Sequence, residues 1–223
     1  MTIPSGIRAL IGGALIAAAL ASSGCSVTVE VSAAPEPSES VGVPQPPPVD
    51  ESRDQLDELV VSQPGSMRGY SRDRFPHWSD QGNNCSTREV VLRRDGVDVT
   101  VGEDCYPRTG RWFSVYDKRW FDQPREVDID HVVPLANAWR SGARDWTDAE
   151  REAFANDLER GQLIAVSAAS NRAKGDQDPS QWRPSNTDIW CDYARWWIDV
   201  KHHYRLTVTS AEKAALEEML DYC

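Results

Sequence analysis

Hydrophobic residues in the second half of the chain recur with two different periods. Residues 127–133 and 163–166 are short apolar runs rich in β-branched side chains, which is typical of strands, and Pro134 ends the first run. Ser167 can cap a helix that runs through residues 168–174, and Gly175 is a stop signal. The pattern therefore predicts strand, strand and helix in that order.

Capping signals place three further helices. Thr147 precedes Glu150 by three positions, and Thr209 precedes Glu212 by the same spacing, so each pair can form a capping box at a helix start. Between them, Thr187 opens a long stretch with apolar residues at helical spacing. The chain is predicted to end in helices.

The first half of the domain carries a turn signal. The stretch REVVLRRDGVDVTV, residues 88–101, has two β-branched runs on either side of Asp95-Gly96, which predicts a β-hairpin. Residues 112–116 predict another short strand. Together with the later elements, this hairpin predicts an α+β fold.

The first residues of the chain have the pattern of an export signal. Arg8 is followed by thirteen apolar residues, too few to span a bilayer comfortably and suited to the core of a signal peptide over residues 1–24. The small residues before Cys25 resemble the lipobox of bacterial lipoproteins, although Ser22 stands where that motif prefers Leu. The resemblance implies lipidation of Cys25 and a membrane anchor, with plain secretion as the alternative.

Composition changes sharply at the end of the signal peptide. Residues 25–64 are rich in Pro, Ser, Glu and Val, which predicts a disordered, acidic tether. The remaining residues, 65–223, suit one domain. Because the tether holds eight acids and one base, the domain accounts for a net charge of only −5 of the total of −11.

Five cysteines leave one unpaired unless Cys25 carries a lipid. The other four allow three pairings, of which the most economical joins Cys85 to Cys105 and Cys191 to Cys223. Free buried thiols are the alternative, but an oxidising compartment favours disulfides.

The predicted first strand contains charges that are costly to bury without partners: Asp128, Asp130 and His131. With LIAV at residues 163–166 and SNRAKGDQDPSQW at 170–182, the stretch DIDHVVPL at 128–135 resembles the ββα-metal (His-Me finger) motif of HNH endonucleases. The wider chain looks like secreted actinobacterial HNH-family proteins related to the C-terminal nuclease domain of GmrSD-type restriction enzymes.

The resemblance implies a set of roles. Asp130 and Asn171 would hold one divalent cation, with Mg²⁺ preferred and Mn²⁺ as the alternative, because one carboxylate and one amide oxygen form a hard, sparse ligand set. His131 would act as general base on the attacking water. Lys174 follows Asn171 by three positions on the same helical face, so Lys174 and, as a weaker candidate, Arg172 would contact substrate phosphates; plain solvated side chains are the alternative. DNA is favoured as the nucleic acid, and no protein partner is inferred.

Some features weigh against this reading. The mildly acidic domain lacks the bulk basic charge typical of nucleic-acid-binding proteins. The middle Asn of the motif is replaced by Gln162 or by nothing, and His131 and Asn171 are forty residues apart. A catalytically silent surface module, with a structural version of the motif, is therefore the competing hypothesis. An effector delivered to another cell would share the chemistry and differ only in destination.

Overall fold

The structure is a computed structural model that describes residues 42–223. The predicted signal peptide and Cys25 lie outside the described residues. None of the helices in residues 42–223 has the length and hydrophobicity that crossing a membrane requires. The elements are α1 (Val49–Glu58), α2 (Thr87–Asp95), β1 (Gly96–Val101), β2 (Pro107–Ser114), β3 (Arg119–Phe121), β4 (Val127–His131), α3 (Leu135–Arg140), α4 (Asp148–Ala155), β5 (Leu163–Ser167), α5 (Ala168–Lys174), α6 (Trp190–His203) and α7 (Ser210–Leu220). The predicted α+β class is confirmed.

The predicted strand–strand–helix unit is present as β4, β5 and α5. The two strands are antiparallel, with Asp130 opposite Ile164 and His131 opposite Leu163. Ser167 caps α5 by accepting a hydrogen bond from the backbone N–H of Ser170. Thus the helix that carries Asn171 begins at the residue directly after the buried strand β5.

The hairpin predicted over residues 88–101 is wrong in its first half, which is helix α2. Ser86 and Glu89 form a capping box, and the apolar pair Val91 and Leu92 is buried in a core formed with β2, β4 and β5. Gly96 ends the helix instead of turning a hairpin. The sheet of this region is three-stranded and antiparallel, in the order β1-β2-β3.

The tether predicted over residues 25–64 is wrong for residues 43–59, which pack against the C-terminal helices. Leu56 and Leu59 lie three positions apart, on one face of α1 and just beyond it, and are only 2% and 6% exposed. Proline carbonyls remain acceptors although proline has no N–H. Accordingly, Trp196 Nε1 donates to the Pro44 carbonyl at 2.9 Å and Arg195 Nε to that of Pro47 at 2.7 Å.

Two disulfides join Cys85 to Cys105 and Cys191 to Cys223, as the most economical pairing predicts. The second bond ties the start of α6 to the end of the chain beyond α7. The capping boxes at Thr147 and Thr209 are also present.

The largest core lies between the β4–β5 unit, α3, α4 and the C-terminal helices. It contains a buried ion pair, in which Lys201 Nζ lies 2.6 Å from Glu212 Oε1. Lys201 also donates to Ser141 Oγ at 3.1 Å and to the Thr207 carbonyl at 2.8 Å. Every proton of this buried ammonium therefore has an acceptor.

Candidate active site

The site forms where β4 ends. Side chains alternate along the strand, so Asp130 points towards α5 while His131 belongs to the opposite face. Because the strand stops at His131, both residues still reach one small cavity of about 70 Å³, which Asn171 and Arg72 also line. The other lining residues are Ile129, Pro134, Leu135 and Gly175. The three residues predicted to act together, Asp130, His131 and Asn171, therefore border the same cavity.

Asp130 is buried and fully engaged. Tyr116 donates its hydroxyl to Oδ2 at 2.7 Å, and Lys174 Nζ contacts Oδ1 at 2.8 Å. Burial raises the pKa of Asp130, and the Lys174 charge opposes that rise. The same burial lowers the pKa of Lys174, with Asp130 opposing the fall.

The sequence-based role of Lys174 as a phosphate contact is contradicted by its position. Its side chain has no exposed surface, and its ammonium donates to Asp130 and to the His131 carbonyl at 2.8 Å. Lys174 lies three residues after Asn171 on α5, so both side chains lie on the helix face that packs against β4. Lys174 is an internal counter-charge that holds the end of β4.

His131 is held by the backbone of α4. Its Nε2 lies 2.9 Å from the Ala155 carbonyl oxygen, which can only accept, so Nε2 carries the proton in the neutral ring. Burial lowers the pKa of His131 to about 3. Among residues 42–223 no group donates a hydrogen bond to Nδ1, so this nitrogen keeps a lone pair at neutral pH.

Asn171 is oriented by its neighbour on β4. Its Nδ2 donates to Asp128 Oδ2 at 3.3 Å, which identifies Oδ1 as the acceptor atom left for another group. Arg172 Nε lies 3.7 Å from the same Asp128 oxygen, and its side chain is 76% exposed. Arg172 is thus accessible to a phosphate, and that role stays a prediction.

The donor atoms fit a hard, weakly held cation. Each oxygen of Asp130 accepts one hydrogen bond and keeps a further lone pair, and Asn171 adds one amide oxygen. No cluster of three or more His, Cys, Asp or Glu side chains in residues 42–223 forms a metal site. A cation here would take most of its ligands from water and phosphate, which suits Mg²⁺ better than Zn²⁺.

Gln162 is the one residue that the sequence offers for the middle position of the motif. Its side chain accepts from the Val133 N–H at 3.0 Å and donates to the Val133 carbonyl at 2.9 Å. These two bonds join the residue before β5 to the segment just after β4. It does not orient the catalytic candidate, because His131 is held by Ala155 instead. The sequence alone left both questions open.

Sequence reasoning missed one wall of the cavity. Arg72, in the single helical turn Arg72–Arg74, donates through Nε to His77 Nε2 at 3.3 Å. The His77 and Trp78 rings lie 6.5 Å and 5.6 Å from the His131 ring, centroid to centroid. Nothing in the stretch GYSRDRFPHW, residues 69–78, signals contact with a strand fifty residues later. Arg88, in contrast, is structural, since it donates to two backbone carbonyls.

The α+β fold is compatible with a nuclease domain, and the comparisons with known proteins identify its family. The chain belongs to the family described as GmrSD restriction endonucleases, C-terminal domain, which matches residues 101–219. A protein of Arthroderma benhamiae described as an "uncharacterized secreted protein" is 50% identical over 198 residues, covering 89% of this chain and 95% of that protein. No solved structure matches the chain.

Proposed function

We propose that this protein is an exported, metal-dependent endonuclease that hydrolyses phosphodiester bonds, with DNA as the favoured substrate. One observation carries the proposal: Asp130, His131 and Asn171 line a single cavity at the end of β4. Membership of a restriction-endonuclease family supports the same reaction class.

His131 supplies the general base. Its Nδ1 takes a proton from the attacking water as the new P–O bond forms and the bond to the departing oxygen breaks. The Ala155 carbonyl holds the ring at Nε2 and stabilises the imidazolium that results. Lys174 and Tyr116 fix the Asp130 carboxylate, and the remaining lone pairs of Asp130 and the amide oxygen of Asn171 would be the protein ligands of a cation. Mg²⁺ bound there would stabilise the negative charge that develops on the phosphate and the departing oxygen.

The test is plasmid nicking by the purified protein with Mg²⁺, with Mn²⁺ and with EDTA. His131→Ala should lower the rate about 10²- to 10⁴-fold, the usual contribution of a general base, and EDTA should stop the reaction. His203→Ala, which removes an exposed histidine of α6, is the matched control. Cleavage by His131→Ala at the wild-type rate contradicts the assignment.

A catalytically silent surface module is the second candidate. The observation that favours it is the Asp130–Lys174 ion pair, which balances the charge of the site without a cation. This candidate predicts that the wild-type protein binds a partner but leaves DNA and RNA intact under every metal condition. It also predicts that Asp130→Ala chiefly destabilises the fold.

Export and anchoring form a separate part of the proposal. The two disulfides and the secreted relative are consistent with an oxidising destination outside the cytoplasm. We propose that Cys25 carries the lipid that holds the protein at the membrane. Mass spectrometry of the mature N-terminus should find acyl chains on Cys25; an unmodified N-terminus, cut elsewhere, would indicate plain secretion.

A further inference from the structure

We infer that Arg72 binds the phosphate under attack at His131, and that His77 positions its guanidinium. This inference rests on the proposed nuclease function and gives it a substrate contact. Both residues lie outside the part of the chain that the family match covers, residues 101–219. The family assignment therefore gives them no role.

Two of the three guanidinium nitrogens of Arg72, the Nη atoms, remain available to a ligand. Its Nε donates to His77 Nε2, and the His77 ring donates from Nδ1 to the Phe75 carbonyl at 2.8 Å. One proton of the guanidinium is used in this way. Among residues 42–223, neither Nη atom of Arg72 has a hydrogen-bond or ion-pair partner, and the side chain is exposed at the cavity. Two parallel N–H groups on a fixed plane match two oxygens of a phosphate.

Charge at the cavity favours the same ligand. Lys174 neutralises Asp130 inside the protein, and Arg172 lies beside Asp128. Arg72 forms no ion pair with an acid in the described part of the chain, so its positive charge is available to an anion. That charge acts on His131 as well, since it helps to lower the pKa of the imidazole. A phosphodiester whose phosphorus faces Nδ1 would bring its non-bridging oxygens to this cation.

The segment that carries Arg72, residues 72–78, packs against His131 through the rings of His77 and Trp78. Trp78 has a positive φ of 64°, a costly conformation for a bulky residue, and its ring lies against the His131 ring. His77, immediately before it, lies 5.4 Å from the Trp78 ring, centroid to centroid. His77 therefore lies beside both the Trp78 and the His131 rings, and its hydrogen bond to Arg72 places the guanidinium at the same side of the cavity.

The experiment uses two readouts on the full mature chain. In the first, a His131→Ala background binds an oligonucleotide in EDTA over a range of salt concentrations. The slope of log binding constant against log salt concentration should become less steep by about one unit in Arg72→Ala, because this variant lacks one phosphate contact. Arg93→Ala removes an exposed arginine of α2 and should leave the slope unchanged.

The second readout is cleavage with His131 intact. Arg72→Ala should lower kcat about 100-fold, as loss of a transition-state donor does, and Arg72→Lys should recover only part of it because the fork is lost. His77→Ala should reduce cleavage, whereas His77→Gln, which keeps an acceptor for Arg72 Nε, should restore it. Rescue by glutamine separates positioning from mere packing.

The outcomes are distinct. Normal cleavage and binding slope in Arg72→Ala, equal to those of Arg93→Ala, overturn the role of Arg72 and leave the nuclease function standing. A wild-type protein that neither binds nor cuts nucleic acid overturns both. A flattened slope together with a kcat loss confined to Arg72 and His77 variants supports the inference.

Discussion

Replacing Lys174 by Met separates the two ways in which Asp130 could be neutralised. Lys174 Nζ is buried and bonded to Asp130 Oδ1, so Lys174→Met leaves a carboxylate buried without its counter-charge. Removing one partner of a buried pair costs about 3–5 kcal/mol of unfolding free energy. For a domain of this size, that loss lowers Tm by roughly 10 °C.

A cation at Asp130 and Asn171 should recover much of this loss. With Lys174 absent, the repulsion between its ammonium and the metal disappears, so millimolar Mg²⁺ should bind more tightly and stabilise the variant. Binding at a hundred times Kd adds about 2.7 kcal/mol. The assay is urea unfolding at pH 7 in EDTA and in Mg²⁺, for wild type and variant.

Lys201→Met provides the matched control. It also removes a fully buried lysine that is paired with a carboxylate, that of Glu212. Neither Lys201 nor Glu212 lines the cavity at the end of β4. The two variants should lose similar stability in EDTA, and only Lys174→Met should regain it with Mg²⁺. Equal recovery in both variants, or recovery in neither, would refute the placement of the metal at Asp130.

Other predictions concern the rest of the domain. Because the folded-state pKa of His131 is about 3 and that of an unfolded histidine is about 6.5, the unfolded chain binds more protons between these values. Stability should therefore fall as pH drops through this window, by about 2 kcal/mol between pH 6.5 and 4.5, and His131→Gln should lack this part of the fall in urea titrations. Replacing Cys85 and Cys105 together by Ser should cost about 3 kcal/mol, measured by thermal unfolding; an unchanged Tm would argue against that disulfide. Leu56→Ala should cost about 2–5 kcal/mol in the same assay, whereas a disordered tether would make it neutral.

The parts of the fold that sequence predicted are those set by nearby residues. The capping boxes at Thr147 and Thr209 act over three positions, and the apolar runs of β4 and β5 determine their own burial. The helix α2 was readable by the same rule, since Ser86 and Glu89 form a box. The β-branched residues near Asp95-Gly96 outweighed that signal in the prediction, although burial of Val91 and Leu92 decides the structure.

The parts that sequence could not predict depend on partners distant in the chain. Lys174 looks like a solvent-facing phosphate ligand in the sequence, but in the structure its ammonium donates to Asp130, forty-four positions earlier. The partners of Arg72 and of residues 43–59 are likewise set by tertiary packing. Composition indicated disorder for the latter segment because Leu56 and Leu59 are sparse, yet their spacing matches a groove formed by the last two helices.

The packing of residues 43–59 onto α6 and α7 also limits the distance that a lipid anchor at Cys25 would allow between the domain and the membrane. If Cys25 carries the lipid, only seventeen residues connect the anchored cysteine to Val43, which is already buried in the fold. Even a fully stretched chain of that length reaches roughly 60 Å. The candidate active site would therefore stay close to the bilayer and would meet only nucleic acid that comes to the cell surface.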